Sequence, residues 1–254
     1  KGCSTAKAHR FAVPKMTDKR ATYAAERLYV DLGGLMRVTS LDGSSYVMII
    51  VNDYSRFQAV EFIKKKIDAT ATIQSYIAEY ITPKGLNIGA TRTDNGGEFD
   101  GDFHLKLDEH GISHELAPPD RPQYSGVAEM RLGLLREKTI ALMQNQTEGG
   151  SEKLWAEAMN YTCDITNISC TSSIEGNVTT CEKWYGTTTM LEHLQPFGMV
   201  GYMRKIITEH NMVPRGKKCI TLSIFHNHPS RTFRVLNVNT EQIVERQHVS
   251  WHPE

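Results

Sequence analysis

The strongest constraint on the fold comes from residues 91–99, which read TRTDNGGEF. A β-prone run from Leu86 to Thr93 leads into this segment. The Gly96-Gly97 pair then predicts a sharp turn, because glycine reaches positive φ without a steric penalty. Asp94 is therefore expected at the end of a strand, on the edge where open α/β sheets build their sites. Taken alone, the segment also fits a solvated loop aspartate, so its meaning depends on other acidic residues.

Two further acidic residues stand in comparable settings. Asp31 lies in the run LYVDLGG at residues 28–34, and Glu129 follows PQYSGVA at residues 122–128. The chain places 34 residues between Asp94 and Glu129. Further acidic residues in such settings favour a shared site over a solvated loop.

These three segments resemble the catalytic core of copia-type retrotransposon integrases, within the retroviral-integrase-like, ribonuclease-H-like superfamily. In that family the first Asp stands in a strand before a Gly-containing turn, the second in an S/T-D-N-G-G-E-F/Y motif, and the Glu in a P-Q-x-x-G-V-A-E motif. Asp31, Asp94 and Glu129 occupy those positions here. The spacing between the last two is one residue shorter than usual, and the shortening falls between Gly97 and His110. The similarity extends over nearly the whole chain.

The resemblance implies a fold and a domain organisation. The implied fold is α/β, with a ribonuclease-H-like mixed five-stranded sheet flanked by helices and followed by a small β-barrel-like C-terminal domain. Residues 1–22 are expected to be a linker and the tail of a truncated zinc-binding module, 23–190 the integrase catalytic core, and 191–254 the small β-rich domain.

Local patterns agree with this order of elements. Strands are predicted at residues 27–32, 46–51, 57–63, 86–93 and 112–116, and helices at 68–81, 103–110, 125–143 and from 151 onward. The continuous apolar run at 46–51 is typical of a strand buried on both faces. Asp68, Ser125 and Ser151 are expected helix caps. Asp53 is expected to cap a turn rather than to join the site.

The first residues resemble the end of the zinc-binding module that precedes the integrase core, where two Cys and two His hold the metal. Cys3 would be the last cysteine of that module, and its other ligands would lie before Lys1. Zn²⁺ is therefore expected only in the missing N-terminal module, and the chain is expected to be part of a longer Pol polyprotein. Near the other end, FHNH at residues 225–228 departs from the family's F-L-G-Y segment.

The implied chemistry is DNA 3′-end processing and strand transfer into target DNA. Both the attacking and the leaving oxygen carry charge in such a reaction, and two Mg²⁺ (or Mn²⁺) ions about 4 Å apart would neutralise that charge. Asp31, Asp94 and Glu129 are the implied catalytic and metal-binding residues, with Asp31 bridging the two ions. Without metal the three carboxylates repel, so the pKa of at least one should be raised. They can meet only if the first and fourth strands are neighbours.

DNA is the implied partner of this site. Residues expected to line the mouth of the site or to reach phosphates along the groove are Asn95, Gln123, Tyr124, Ser125, Arg131, Arg136 and Lys138. Arg136 should lie one or two helical turns beyond Glu129 on the same side. A surface role without function is the alternative for each of these residues taken singly. Two dense basic clusters, at 64–66 and 215–218, are likewise open between phosphate binding and a solvated face.

Composition limits the alternatives. The 254 residues carry a formal net charge of zero and the pI is near 7.3, which argues against a strongly basic nucleic-acid binder. An apolar run of about 18 residues is lacking, so neither a transmembrane helix nor a membrane partner is expected. Five cysteines without a C-x-x-C pair favour a reducing compartment.

Three functional readings stay open. An active integrase would work in the nucleus, as a homo-oligomer and alongside other Pol polyprotein segments. A catalytically decayed integrase-derived domain would keep the fold and bind nucleic acid, and Met130, where the family usually has Arg, favours this reading. A ribonuclease H acting on RNA–DNA hybrids would share the fold and metals, but the Asp94 and Glu129 motifs follow the integrase pattern.

Overall fold

The structure is a computed structural model that describes residues 20–117, 126–144, 151–187, 194–204, 216–224 and 232–251. The strands of its N-terminal part are β1 (Arg27–Gly33), β2 (Tyr46–Asn52), β3 (Gln58–Ile63), β4 (Ala90–Thr93) and β5 (Ser113–Leu116). The helices are α1 (Ala69–Tyr76), α2 (Asp102–Glu109), α3 (Gly126–Gln144), α4 (Trp155–Asn167) and α5 (Thr180–Tyr185). The C-terminal strands are β6 (Val200–Arg204), β7 (Gly216–Ile224), β8 (Phe233–Asn237), β9 (Gln242–Arg246) and β10 (Val249–Trp251).

The first five strands form one mixed sheet in the order β3-β2-β1-β4-β5. The first three strands are joined antiparallel by turns, whereas β1 pairs with β4, and β4 with β5, in parallel. Parallel neighbours need a crossover, which the α1 and α2 segments supply. The predicted mixed five-stranded sheet is confirmed, and so is the predicted neighbourhood of the first and fourth strands.

Strand β2 explains why the sheet is covered on both faces. Its side chains alternate, so Met48 and Ile50 pack in a cluster with Ile73 of α1 and Phe103 of α2. Val47 and Ile49 point the other way and belong to a second cluster with residues of α3 and α4. The continuous apolar run in the sequence is thus a strand buried on both faces, as predicted.

The helix predicted at 68–81 is a composite of three elements. A 3-10 turn (Lys66–Asp68) precedes α1, and a π-helical turn (Ile77–Ile81) follows it. The Asp68 carboxylate accepts a hydrogen bond from the Lys65 amide at 2.9 Å, so it caps the 3-10 turn rather than α1 itself. Gly85, with φ of 62°, ends the segment just beyond the predicted end of the helix at residue 81.

Strand β4 is shorter than predicted, because it begins at Ala90 rather than Leu86. The reason is its partner. The regular ladder starts with Arg27 opposite Ala90. Before it, Ala25 has φ of 66°, which ends the extended run of β1, and the Gly89 amide only donates to the Ala25 carbonyl at 3.4 Å. Ser151 caps the 3-10 turn before α4 by accepting a hydrogen bond from the Lys153 amide at 3.3 Å, which confirms that predicted cap.

The C-terminal strands form a second, fully antiparallel sheet in the order β10-β6-β7-β8-β9. Among the strands that the structure describes, the edge strands β9 and β10 are not paired with each other, so this sheet is open rather than a closed barrel. Its Ile220 and Leu222 pack on Leu154 and Ala158 next to and within α4. The sheet is therefore fastened to the core domain through an apolar interface.

One ion pair reinforces that interface. Arg234 of β8 makes two parallel hydrogen bonds to the Glu157 carboxylate of α4, at 3.0 Å from Nε and 2.8 Å from Nη2. The two side chains are 34% and 15% exposed, so water screens the pair only in part. Arg234 thereby links β8 directly to α4.

Several predicted features lie outside the described residues. They are the linker with Cys3, the Ser125 cap, the FHNH segment and Arg215 of the second basic cluster. None of the helices in the described part of the chain combines the length and apolar character needed to cross a bilayer.

We expect the Glu157–Arg234 pair to stabilise the fold measurably. Glu157→Ala and Arg234→Ala should each lower the free energy of unfolding, and the double variant should lose less than the sum of the two. A half-buried bidentate pair should give a coupling energy of roughly 1–3 kcal/mol. Urea denaturation of the four proteins measures it. The exposed Arg37–Glu152 pair is the matched control, with a coupling below about 1 kcal/mol, and equal couplings for both pairs would contradict the expectation.

Candidate active site

Asp31 lies near the end of β1, on the face of the sheet that α3 covers. Its neighbours two residues away, Tyr29 and Gly33, face the same way by strand alternation, and Gly33 packs directly under Leu132 of α3. The Asp31 carboxylate is half-buried and accepts a hydrogen bond from the Leu32 amide at 2.9 Å. The strand thus aims Asp31 at the helix that carries Glu129.

Asp94 follows directly after β4, on the same face. The β1–β4 register pairs Tyr29 with Arg92, and the Arg92 guanidinium lies 5.6 Å from the centre of the Tyr29 ring, so both side chains share the α3 side. The ladder ends at this pair; beyond it the charge of Asp94 acts on Asp31, so the two carboxylates lie near each other at the ends of the two strands. The Gly96 amide donates to the Asp94 Oδ1 at 3.0 Å and holds this carboxylate at the turn.

The turn after Asp94 exists as predicted, but Gly96 does not have the positive φ that its sequence context suggested. Gly96 has φ of −63° and ψ of 136°, an extended backbone open to any residue. A Cβ at this position would lie 2.8 Å from Glu98 Cδ and 3.0 Å from Asp94 Oδ1. The constraint is therefore the close approach of two carboxylates to one α-carbon, not a positive φ.

Glu129 stands in the first turns of α3, next to the buried Ala128 and one turn before the buried Leu132. Those apolar residues face the sheet and set the rotation of the helix, while the Glu129 side chain is exposed at its edge. Glu129 thus reaches the site from above the strands, as predicted for the third carboxylate.

The pKa of Asp31 is affected by both other carboxylates. Burial is the largest cause that raises its pKa; the Leu32 amide opposes the shift, and the charges of Asp94 and Glu129 raise the pKa further. The guanidinium of Arg136 acts in the opposite direction. The predicted raised pKa is thus confirmed for Asp31, although desolvation contributes more than repulsion.

The donor chemistry of these residues suits a hard divalent cation, because all three supply carboxylate oxygens. In the described part of the chain, however, no set of three or more His, Cys, Asp or Glu side chains is gathered closely enough to enclose an ion. The charges of Asp94 and Glu129 act on Asp31 although the three carboxylates do not form a closed cage. Their assignment as metal ligands stays a prediction.

Arg136 lies closer to the acidic residues than its assignment to the DNA groove implied. Its guanidinium covers Gly33, where any Cβ would collide with it and would lie 2.8 Å from Leu132 Cδ2. The positively charged Arg136 therefore lies against Gly33, two residues after Asp31 on the same face of β1. The predicted position, one or two turns beyond Glu129 on the same side of the helix, agrees with this contact.

The other residues predicted to bind DNA are placed differently. Asn95 is exposed next to Asp94. Arg131 is half-buried, its Nε has no hydrogen-bond partner among the described residues, and burial followed by the charge of Arg56 lowers its pKa. Lys138 donates to Thr166 Oγ1 of α4 at 3.3 Å. Gln123, Tyr124 and Ser125 lie outside the described residues. DNA binding by all seven stays a prediction.

Asp53 is remote from the site, at the opposite end of β1. It is buried, accepts a hydrogen bond from the Ala21 amide at 2.8 Å and pairs with Arg56 at 2.9 Å. The cap of this turn is Asn52, whose Oδ1 accepts from the Ser55 amide at 2.8 Å. The expectation that Asp53 stays out of the site agrees with its position, but the capping role belongs to its neighbour.

Sequence reasoning gave no role to two residues beside Asp94. Glu98 lies against Gly96 and pairs with Lys66 at 3.1 Å. His114 Nε2 lies 2.9 Å from Thr93 Oγ1, and burial lowers its pKa. Glu98 was visible as part of the 91–99 motif; the contact with Lys66 joins residues 32 apart and has no signal in the sequence.

Comparison with known proteins gives relatives over most of the chain. No protein-family model matches it. It is 27% identical over 197 residues to the retrovirus-related Pol polyprotein from transposon TNT 1-94 of Nicotiana tabacum, which covers 77% of this chain and 14% of that protein. It is 23% identical over 217 residues to the corresponding polyprotein from transposon RE2 of Arabidopsis thaliana (84% and 14%), and 23% identical over 237 residues to that from transposon RE1 (90% and 15%).

The chain thus spans about a seventh of the length of the curated relatives it matches. Among solved structures it is similar to the cryo-EM structure of a simian T-cell lymphotropic virus intasome in complex with PP2A regulatory subunit B56 gamma. The TM-score is 0.55 with 14% identity, over 96% of this chain and 81% of that chain. At this identity the likeness shows the fold. The homologues are retrovirus-related Pol polyproteins of plant transposons, which confirms the resemblance that the motifs indicated.

We expect Asp31→Asn to stabilise the folded protein at neutral pH. The folded-state pKa of Asp31 is raised above 3.8, so the fold is destabilised relative to the unfolded chain once the carboxylate ionises. Asparagine removes that charge. The gain in unfolding free energy should shrink as the pH falls and vanish below 3.8, where the carboxylate is protonated in both states. Urea denaturation as a function of pH measures it, with the exposed Asp100→Asn as control. A gain that does not depend on pH would contradict this account.

Proposed function

Given its relationship to retrotransposon Pol polyproteins, we propose that this chain is an integrase core that processes DNA 3′ ends and transfers them into target DNA. The observation that supports this most directly is the pairing of β1 with β4, which puts Asp31 beside Asp94 under the helix that carries Glu129. The three segments that carry these residues are the ones whose motifs resemble those of the integrase family.

In this proposal Asp31, Asp94 and Glu129 would hold two Mg²⁺ or Mn²⁺ ions. Ions of this kind activate an attacking oxygen and neutralise charge on the leaving oxygen of a phosphodiester. The raised pKa of Asp31 fits such a role, because a cation would favour the ionised form that burial and neighbouring carboxylates disfavour.

The remaining residues of the site orient the carboxylates and meet the substrate. The Gly96 amide keeps Asp94 at the strand end. Asn95, exposed beside it, is proposed to contact DNA at the mouth of the site, together with Gln123, Tyr124 and Ser125. Arg136 is proposed to receive a backbone phosphate next to Asp31, with Lys138 further along α3. Arg131 has the weakest support for a phosphate contact because it is half-buried.

A second candidate is an integrase-derived domain that binds nucleic acid without catalysis. Two observations favour it. Met130 is a large apolar residue with 56% exposure beside Glu129, and the three carboxylates do not form a closed group among the described residues. Metal-dependent activity separates the two candidates, and a preference for duplex DNA over RNA–DNA hybrid separates both from a ribonuclease H.

The wider setting is also part of the proposal. We propose that the chain acts in the nucleus, as a homo-oligomer, in conjunction with other segments of its polyprotein. Zn²⁺ is assigned only to the module proposed to precede it. The likeness to a chain of a viral intasome supports this setting.

Replacing Glu129 with Gln should abolish strand transfer. The amide keeps the size of the side chain but removes the charge, and loss of one stabilising group of this kind costs about 100-fold or more. The assay is transfer of a labelled donor DNA end into plasmid with Mg²⁺ or Mn²⁺, using a longer version of the chain that includes the upstream module. Glu137→Gln, an exposed glutamate two turns further along α3, is the control and should keep wild-type activity.

Two outcomes would overturn the active-integrase proposal. Transfer by Glu129→Gln at the wild-type rate would exclude the three-carboxylate mechanism. An inactive wild type that is folded and binds DNA would favour the non-catalytic domain.

Replacing Arg136 with Ala should weaken duplex binding without metal and reduce its salt dependence. Loss of one phosphate contact should lower the slope of log affinity against log salt by about 0.9. Arg136→Lys should retain most of that slope. Fluorescence anisotropy over a salt series measures it, with Arg37→Ala as control because Arg37 is exposed and paired with Glu152. An unchanged slope in Arg136→Ala would exclude the proposed phosphate contact.

A further inference from the structure

Glu98 is the acidic residue of the 91–99 motif that the proposed mechanism leaves without a role. It lies in a 3-10 turn, Gly97–Phe99, directly after the Asp94 turn. Its carboxylate is only 13% exposed and pairs with Lys66 Nζ at 3.1 Å. A nearly buried carboxylate beside another carboxylate requires a cation or a hydrogen-bond donor, and Lys66 supplies it.

The contact between Glu98 and the Asp94 turn is close. A Cβ on Gly96 would be 3.0 Å from Glu98 Oε2 and 3.0 Å from Asp94 Oδ1. The two carboxylates therefore flank the same α-carbon, with Gly96 between them. Any shift of Glu98 toward Asp94 meets the Gly96 backbone, so Glu98 limits where this turn can move.

The rest of the turn is anchored to the core. The Phe99 amide donates to the Gly96 carbonyl at 2.9 Å, and the fully buried Phe99 ring packs edge-on against Phe103 of α2 at 5.1 Å. On the other side, Lys66 belongs to the 3-10 turn that begins the α1 segment. The turn after Asp94 is thus held by two contacts: the packing of Phe99 on Phe103 and the Lys66–Glu98 ion pair.

We propose that Glu98 and Lys66 are positioning residues, whose ion pair braces the Gly96 turn and so directs the Asp94 carboxylate toward Asp31 for divalent-cation binding. This inference rests on the proposed function, because it assumes that Asp94 is a metal ligand. It goes beyond that function by giving roles to two side chains outside the three carboxylates.

The sign of the Lys66 effect distinguishes positioning from simple electrostatics. Acting only through its charge, Lys66 would oppose a second cation nearby, so its removal would strengthen metal binding. Acting as a brace, Lys66 supports the geometry of Asp94, so its removal weakens metal binding. Glu98→Gln weakens metal binding whether Glu98 acts by position or by charge, so this variant alone cannot distinguish the two roles.

The experiment is a Mn²⁺ titration of the purified protein, followed by electron paramagnetic resonance of the free ion. Lys66→Met should weaken Mn²⁺ binding about threefold, a modest effect because the lysine is half-exposed. Glu98→Gln should weaken it about tenfold, as loss of an outer partner of a metal ligand does. Lys66→Arg should bind as the wild type does. Lys64→Met, an exposed lysine of the same run, is the matched control and should also bind normally.

Unchanged or tighter Mn²⁺ binding by Lys66→Met would overturn the inference. So would equal weakening by Lys64→Met, since that would reflect the charge of the whole run. Thermal denaturation of each variant confirms that it is folded. Asp94→Asn keeps the two proposals distinguishable. If the wild type binds Mn²⁺ and Asp94→Asn does not, the proposed metal site is supported, even if the Lys66 and Glu98 variants bind Mn²⁺ normally. If wild type binds no Mn²⁺, both proposals fall.

Discussion

The parallel pairing of β1 with β4 is the interaction on which the rest of the structure depends. Without it, Asp31 and Asp94 would lie on unrelated strands, and α3 would have no shared surface on which to place Glu129. The pairing is held by two apolar clusters, one on each face of the sheet, that enclose the central strands. An acidic site in this position is costly to the fold, as the raised pKa of Asp31 indicates, and the packed sheet offsets that cost.

Much of this arrangement could be predicted from the sequence because it depends on local signals. The apolar run of β2, the Gly85 stop and the Ser151 cap each act within a few residues. The order of elements then permits very few sheet topologies. The strand bounds of β4 were harder to predict, because its start is set by where β1 begins and not by its own composition.

The features that could not be predicted are contacts between distant segments. Glycine at position 96 looked like a residue chosen for positive φ, whereas the structure shows that two carboxylates crowd its α-carbon. The Lys66–Glu98 ion pair and the packing of Arg136 over Gly33 also join segments that are far apart in the sequence. In each case the local sequence allows the side chain to lie in several places, and only the packing of the folded chain selects one of them.

The contact between Gly33 and Arg136 also has an evolutionary consequence. Any larger residue at position 33 would have to displace a guanidinium and a leucine that belong to a helix a hundred residues away in sequence. The two positions should therefore change together among relatives of this chain, with a shorter side chain at 136 permitting one at 33. A substitution that looks mild at either position in isolation would then be tolerated in some lineages and not in others, depending on what its partner has become.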